Sequence, residues 1–368
     1  MNIFLIGLGA AGNKAVLETI EQGVVDISDT LMINSTSKDF PKEYEGKKII
    51  LSGSDTGCGK ERNCALDYAK HAIESGYFNL DMNNYDTVIM ATSVEGGTGS
   101  GSTPMLAQFF KKVYNKNVHI FAFTGFEDDI RGLANTVDFF KEIKSNIMVH
   151  TISNKAYLAE AGNNKLRAEE LANKAMAVKI SVLTGQDFIE GSQNIDDTDI
   201  MKLSNTTGYI TVEKKFFNKP LETVNDFEKI IKNMIYNSSC VKVNEPKAVR
   251  LGVVLNISPN SEDAIDYSFH QLKEYYGNPF EFFTQVQWDG NKEYIGYIAS
   301  GMRMPIDEIS EIYEKYNELS SALDKSNDIF FSEMKNMGMS DEDKDKYNMV
   351  KNIGSAMSSV DFLNSLED

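Results

Sequence analysis

Gly96-Gly97-Thr98-Gly99-Ser100-Gly101-Ser102 lies between an apolar run, Thr87-Val88-Ile89-Met90-Ala91, and the segment Pro104-Met105-Leu106-Ala107-Gln108-Phe109-Phe110. The first flank reads as a buried strand, the second as the start of a helix. A glycine loop between a strand and a helix is a phosphate cradle. Without Cβ atoms the backbone approaches a polyphosphate closely and aims N–H donors at it. The helix N-terminus behind adds partial positive charge. Gly is about 7% of average sequence, so four glycines at these offsets arise at a given start about twice in 100,000. A chance flexible turn is therefore a poor account. Gly96, Gly97, Thr98, Gly99, Ser100 and Gly101 are expected to hold phosphates.

Outward from this stretch, apolar runs recur at Asn2–Ile6, Thr30–Ile33, Lys48–Leu51, Val118–Phe123 and Ile147–Ile152, with helical patterns such as Lys14–Gln22 and Arg62–Ser75 between them. Near-continuous apolar strands alternating with helices imply a parallel sheet covered on both faces. Ligands in such sheets sit beyond the strand C-termini. The fold class is α/β: a parallel-sheet nucleotide-binding domain (1–164), a central helix and following loop (165–200), a second α+β domain (201–304) and a long C-terminal helix with an acidic tail (305–368). In the second domain Tyr209–Val212, Val249–Ile257 and Thr284–Ala299 read as strands around a helix from Glu262 to Tyr276. Trp288-Asp289-Gly290-Asn291 reads as a hairpin turn. After Pro305, Ile309, Ile312, Tyr316, Leu319, Leu323 and Phe330 form an apolar helical seam, read as packing on its own domain. Ser340–Lys344 reads as solvated linker and Val360–Leu363 as a short docking motif.

The 368 residues carry 37 Lys and Arg against 54 Asp and Glu, a net charge of −17. So acidic a chain is a poor direct ligand for nucleic acid or an anionic membrane. No apolar run approaches the roughly 20 residues of a membrane span. Cys58, Cys64 and Cys240 form no CxxC pair, and nothing resembles a leader, so a reducing cytoplasm is expected. His71, His119, His150 and His270 lack metal-ligand spacing; no protein-held metal is expected.

Gly7-Leu8-Gly9-Ala10-Ala11-Gly12-Asn13 follows the first strand and opens a helix, matching the dinucleotide fingerprint GxGxxG. A dinucleotide fold, and with it an NAD(P)-dependent oxidoreductase, also wants an acidic residue ending the second strand. This chain has Asn34-Ser35-Thr36 there. A third glycine loop, Gly57-Cys58-Gly59-Lys60, precedes the helix at Arg62. Three such loops on adjacent strand ends suit a nucleoside triphosphate better. No G-x-x-x-x-G-K-[ST] motif occurs, so this is not an ordinary P-loop protein.

In this ordered series the chain resembles the tubulin/FtsZ superfamily of polymerising GTPases over about its first 300 residues. The resemblance implies GTP and GDP as ligands, accompanied by Mg²⁺ held mostly by phosphate oxygens and water. Gly7, Gly9, Ala10, Ala11, Gly12 and Asn13 resemble the first nucleotide loop; Asn34, Gly57 and Gly59 belong to the neighbouring ones. Phe126, Glu127 and Arg131 match F-E-x-x-x-R, in which the Glu and Arg contact ribose and base. Asn154 and Asn173 match two readers of the guanine edge. The family usually carries a stacking aromatic four residues before the second reader; here that position is Glu169.

Asn194-Ile195-Asp196-Asp197-Thr198-Asp199 resembles the family's N-x-D-x-x-D loop. Carboxylates three apart at a helix start share a face and, ionised, can orient a water by accepting its protons. The resemblance assigns Asn194, Asp196 and Asp199 to catalysis on the nucleotide of the next subunit, so that hydrolysis requires polymerisation. A head-to-tail contact is heterologous and builds open filaments. The bland reading of Asp196 and Asp199 is an acidic helix N-terminus. Within the family, the long C-terminal helix and acidic tail resemble the TubZ branch. These cytomotive filaments segregate plasmid or phage DNA through a centromere-binding adaptor. The alternative is an FtsZ-type division-ring protein with Val360–Leu366 as its docking peptide.

Overall fold

The computed structural model describes residues 1–217, 223–258 and 265–336, with side chains as far as 323. The Glu262 helix start, the Phe330 side chain, the 340–344 segment and the 360–363 motif lie outside the described residues.

Ten described strands form one sheet. The first six are β1 (Ile3–Leu8), β2 (Thr30–Asn34), β3 (Lys47–Ile50), β4 (Thr87–Ser93), β5 (Asn117–Thr124) and β6 (Met148–Ser153). They run parallel in the order β3-β2-β1-β4-β5-β6. β1 and β2 are buried along their whole length, as near-continuous apolar runs in a parallel sheet must be. Successive residues face opposite layers. Leu5, Ile89 and Phe121 pack with Val16, Met176 and Ile180. Phe4, Ile6, Met90 and Ile120 pack with Leu106, Phe110 and Leu133 on the other side. The first layer holds α1 (Gly9–Glu21) and α5 (Lys165–Leu183); the second holds α2 (Arg62–Glu74), α3 (Gly97–Val113) and α4 (Ile130–Glu142).

The sheet continues through β7 (Gly208–Phe216), which joins β6 by a short parallel register, Met148 opposite Gly208 and Val149 opposite Tyr209. Beyond it come β10 (Tyr294–Met302), β8 (Arg250–Asn256) and β9 (Glu281–Gln287) in that order. Between these strands the chain forms α6 (Asp197–Ser204), α7 (Val224–Tyr236) and α8 (Ile265–Tyr275). α5 packs on β6, β7 and β10, so one helix supports both halves of the sheet.

The expected hairpin at Trp288–Asn291 does not form. β9 pairs in parallel with β8 after the α8 crossover, while β10 pairs antiparallel with the other edge of β8. The segment from β9 to β10 therefore arches over the end of β8. Asn256, the last residue of β8, fastens it: its Nδ2 donates to Asp289 Oδ1 (3.0 Å) and to the Lys292 carbonyl (3.2 Å).

Helix α9 (Ile306–Asn336) begins behind Pro305 and packs on α4. Ile309, Ile312 and Tyr313 are buried, and Tyr316 is half-buried against the same core. Leu319 and Leu323 are exposed, so the expected own-domain packing holds only for the first half of the seam.

Candidate functional site: two joined cavities at the strand ends

A cavity of about 300 Å³ opens beyond the C-terminal ends of β1, β2 and β4. The N-termini of α1 and α3 both reach it, through Gly9 and Gly97. Neither helix has a side-chain cap or an acidic residue in its first turn. By contrast α4, α5, α6 and α7 are capped by Asp129, Asn164, Asp196 and Thr223. The first N–H groups of a helix have no partner within it, so two sets of donors face one space. Asn34 also lines it; its Oδ1 takes the Ser35 N–H (2.8 Å), while its buried Nδ2 has no partner. Such a donor set fits an anion with several oxygens.

The sequence placed a loop at 96–102 with the helix starting near Pro104. Instead Gly97–Ser102 are the first turns of α3. Each helical Gly costs about 1 kcal/mol relative to Ala, and side chains help hold the turns closed. Ser102 Oγ and Thr103 Oγ1 donate to the Thr98 and Gly99 carbonyls (both 2.6 Å), and Ser100 Oγ donates to Gly96. Pro104 cannot donate to the Ser100 carbonyl four residues back. That carbonyl accepts from the buried Arg62 guanidinium instead (3.0 Å), and Arg62 pairs with Glu142 (2.7 Å).

The need for glycine also differs from the expectation of close phosphate approach. A Cβ on Gly12 would lie 2.0 Å from the Ala91 carbonyl oxygen, and one on Gly101 2.3 Å from that of Arg62. These glycines let helices lie directly on neighbouring backbone. Gly9, Ala10, Ala11, Asn34, Gly57, Gly59, Gly96, Gly97, Thr98 and Gly99 line the cavity. Gly7, Gly12, Asn13, Ser100 and Gly101 stand behind it as support. Thr98 Oγ1 bonds Ser35 Oγ (2.8 Å), and Asn135 Nδ2 donates to the Lys60 (3.1 Å) and Glu95 (3.0 Å) carbonyls, tying the loops together.

A second cavity of about 90 Å³ shares Ala11 and Ser93 with the first. Asn154, Asn173, Glu169, Phe126 and Lys14 line it. Asn154 is only 9% exposed, and its buried Oδ1 is without a partner. Glu127 and Arg131 do not line either cavity. Glu127 pairs with Lys155 (3.0 Å) and, from α9, Lys315 (3.1 Å). Burial would raise its pKa, but the two ammonium groups outweigh that and hold it low. Arg131 pairs with Glu61 (2.7 Å).

Asn194, Asp196 and Asp199 line neither cavity. Asp196 caps α6, its Oδ1 accepting from Asp199 N (2.8 Å), and Lys202 stands 3.8 Å from Asp199. Within one chain they adopt the bland arrangement of an acidic helix N-terminus. Asn194 shapes its loop: its Oδ1 accepts from Gly191 N (2.8 Å) and its Nδ2 donates to Gly191 O (3.2 Å).

Ser35, Asp39, Cys58, Lys60 and Ser93 also line the first cavity, and Lys14 and Glu95 the second. Sequence reasoning left these out as site residues, although most adjoin a glycine loop, and that adjacency was the available signal. Burial and the neighbouring Cys64 thiol push the Cys58 thiol up to about 12, so it stays protonated at neutral pH. Burial raises the Glu95 carboxyl, although it accepts the Glu127 N–H.

Residues 2–161 match the model of the tubulin/FtsZ family GTPase domain. Over these residues the chain is similar to a tubulin/FtsZ-type GTPase domain. The tubulin-like protein TubZ of a Clostridium botulinum C phage is 30% identical over 208 residues, 52% of this chain and 56% of that protein. Cell division protein FtsZ 1 of Methanocaldococcus jannaschii is 22% identical over 211 residues, 56% of this chain and 57% of its own. The chain thus spans little more than half the length of the curated relatives it matches. The fold is that of the GTPγS-form protofilament structure of Bacillus thuringiensis serovar israelensis TubZ, with a TM-score of 0.69 at 15% identity, covering 88% of this chain and 93% of that one.

Proposed function

We propose that this chain is a GTPase that polymerises head to tail and hydrolyses GTP at the contact between subunits. The observation that carries the reading is the convergence of the uncapped α1 and α3 N-termini on one cavity, with amide side chains in an adjoining one. Backbone N–H groups of Gly9–Ala11 and Gly97–Gly99 hold the phosphates. Mg²⁺, which dehydrates reluctantly, would be held mostly by phosphate oxygens and water and would supply charge neutralisation. The donors neutralise charge that builds up in phosphoryl transfer. Beyond Asp39 on the cavity wall, the proposed mechanism calls for acceptors that orient the attacking water. Asp196 and Asp199 supply them from the next subunit, where carboxylates do not face phosphates of their own chain. Glu127 and Arg131 turn from their present ion pairs toward the nucleotide once it binds.

The filament's role is the movement of plasmid or phage DNA in the cytoplasm. The likeness to phage TubZ supports this. A net charge of −17 disfavours direct contact with DNA or an anionic membrane. A basic, DNA-bound centromere-binding adaptor engages the C-terminal region, where residues 306–368 hold six Lys, no Arg and fifteen Asp or Glu.

GTP hydrolysis measured against protein concentration, with light scattering in the same cuvette, tests the reading. A shared threshold for both signals is expected. Asp199→Ala should keep GTP binding and assembly, slow phosphate release roughly 100-fold or more, and prolong filaments. Turnover linear in protein without a threshold, or unchanged turnover in the variant, would remove the interfacial mechanism.

A further inference from the structure

We infer that Glu169 is a specificity-determining residue of the nucleotide site: its carboxylate accepts from the N1–H and 2-amino group of guanine, while Phe126 supplies the aromatic face. The inference rests on the GTP reading and adds how the base is chosen.

Glu169 and Asn173 are four residues apart on α5 and therefore share one helical face. Both line the second cavity. Glu169 is half-buried and has no hydrogen-bond or ion-pair partner among the described residues. The other carboxylate lining this cavity, Glu95, already accepts the Glu127 N–H. The aromatic that the family resemblance leads one to expect at position 169 is absent. Phe126 lines the same cavity from the loop after β5, with the Lys165 ammonium 5.2 Å from its ring centroid. An aromatic wall is thus present, contributed by another element.

The chemistry separates the purines. An ionised carboxylate only accepts hydrogen bonds. Guanine offers two adjacent donors, N1–H and the 2-amino group. Hypoxanthine lacks the 2-amino donor. Xanthine puts a carbonyl oxygen in its place, which a carboxylate repels. Adenine has an acceptor at N1, where a carboxylate is repelled, and only a C–H at position 2; its 6-amino donor lies on the other side of N1. Asn154 and Asn173 carry amides that both donate and accept, so they tolerate several edges; Glu169 is the lining group whose demand is one-sided.

The experiment is competition binding of GTP, ITP and XTP to the wild-type chain and to Glu169→Gln, with Phe126→Leu as a second variant. A hydrogen bond to a charged group contributes about 1.5–3 kcal/mol, or roughly ten- to a hundredfold in affinity. Wild type should therefore prefer GTP over ITP and XTP by at least about tenfold. Glu169→Gln should lose most of its preference for GTP over XTP, because the amide can donate to the 2-oxo group. Phe126→Leu should weaken all three alike and leave their ratios unchanged. A GTP-to-XTP ratio unaltered by Glu169→Gln, with GTP still bound, overturns the inference and leaves the GTP reading standing. Wild type that binds GTP, ITP and XTP equally does the same. Failure of every triphosphate to bind overturns the GTP reading, and this inference with it.

Discussion

A Cβ built on Gly99 would lie 2.2 Å from Thr92 Oγ1 and 2.9 Å from the Leu8 carbonyl oxygen. Gly96, three residues earlier, has open space where its Cβ would be and an extended backbone that Ala accepts. The two positions look alike in the sequence and differ in what surrounds them. Gly99→Ala should lower stability by about 1–3 kcal/mol, the usual result of overpacking against backbone. Gly96→Ala should cost no more than about 1 kcal/mol, the N-cap preference for Gly over Ala with no steric clash added. Urea denaturation of the nucleotide-free proteins reads both. Equal losses would mean that α3 does not press on Leu8 and Thr92 as described. The glycine stretch announces a constrained backbone, but only the fold shows that Gly12 and Gly101 answer to helix packing, that Gly99 is packed tightly and also lines the cavity, and that Gly9 lines it at φ +75°. Likewise Asn154 and Asn173 were readable from motif order. Phe126 and Glu169 line one cavity only because the loop after β5 and the first turns of α5 meet beyond the strand ends, a juxtaposition that no local pattern encodes.

Among the elements, the parallel strands were the most legible, because burial on both faces leaves an unbroken apolar run. Order in the second half of the sheet was not. Trp288–Asn291 has hairpin composition, yet β8 lies between the strands it joins, and the Asn256 contacts that secure the arch span about 33 residues of chain. The strand pair β5 and β6 carries a different signal that the sequence reading set aside as structural. His119 and His150 are fully buried, 2.9 Å apart between Nδ1 and Nε2, with His150 stacked on Phe121 at 4.2 Å between ring centroids. Burial drives His119 down to about 3 and His150 well below its ordinary value. In the unfolded chain both titrate near 6.5. Between those values the unfolded chain binds protons that the folded one refuses, so stability is present above about pH 6.5 and is lost as pH falls below it. The slope approaches about 1.4 kcal/mol per pH unit for each histidine. His119→Leu with His150→Leu should flatten the fall in urea midpoint between about pH 6.5 and 5, before carboxylates dominate. An unchanged slope would assign the acid sensitivity to other groups.

At the scale of the whole molecule, charge and topology act together. One sheet and one helix, α5, connect the nucleotide cavities to the α6 end, where Asp196 and Asp199 sit. In the proposed filament a contact between these two ends would bring together copies that each carry −17, so long-range repulsion would oppose assembly and, with it, the proposed interfacial hydrolysis. Screening relieves it: the Debye length shortens from about 30 Å at 0.01 M salt to about 10 Å at 0.1 M. The threshold concentration for scattering should therefore fall as monovalent salt rises over that range, with the threshold for phosphate release falling alongside. Short-range pairing at the contact predicts the opposite, because salt would weaken attraction between facing groups such as the acidic loop and the Lys60 region. A threshold that rises with salt would place the controlling charges at the contact itself and not in the net charge of the subunit. Replacing sodium by potassium at fixed ionic strength isolates the screening effect, since it leaves the Debye length unchanged; a shift between those two salts would indicate a cation bound at the contact instead.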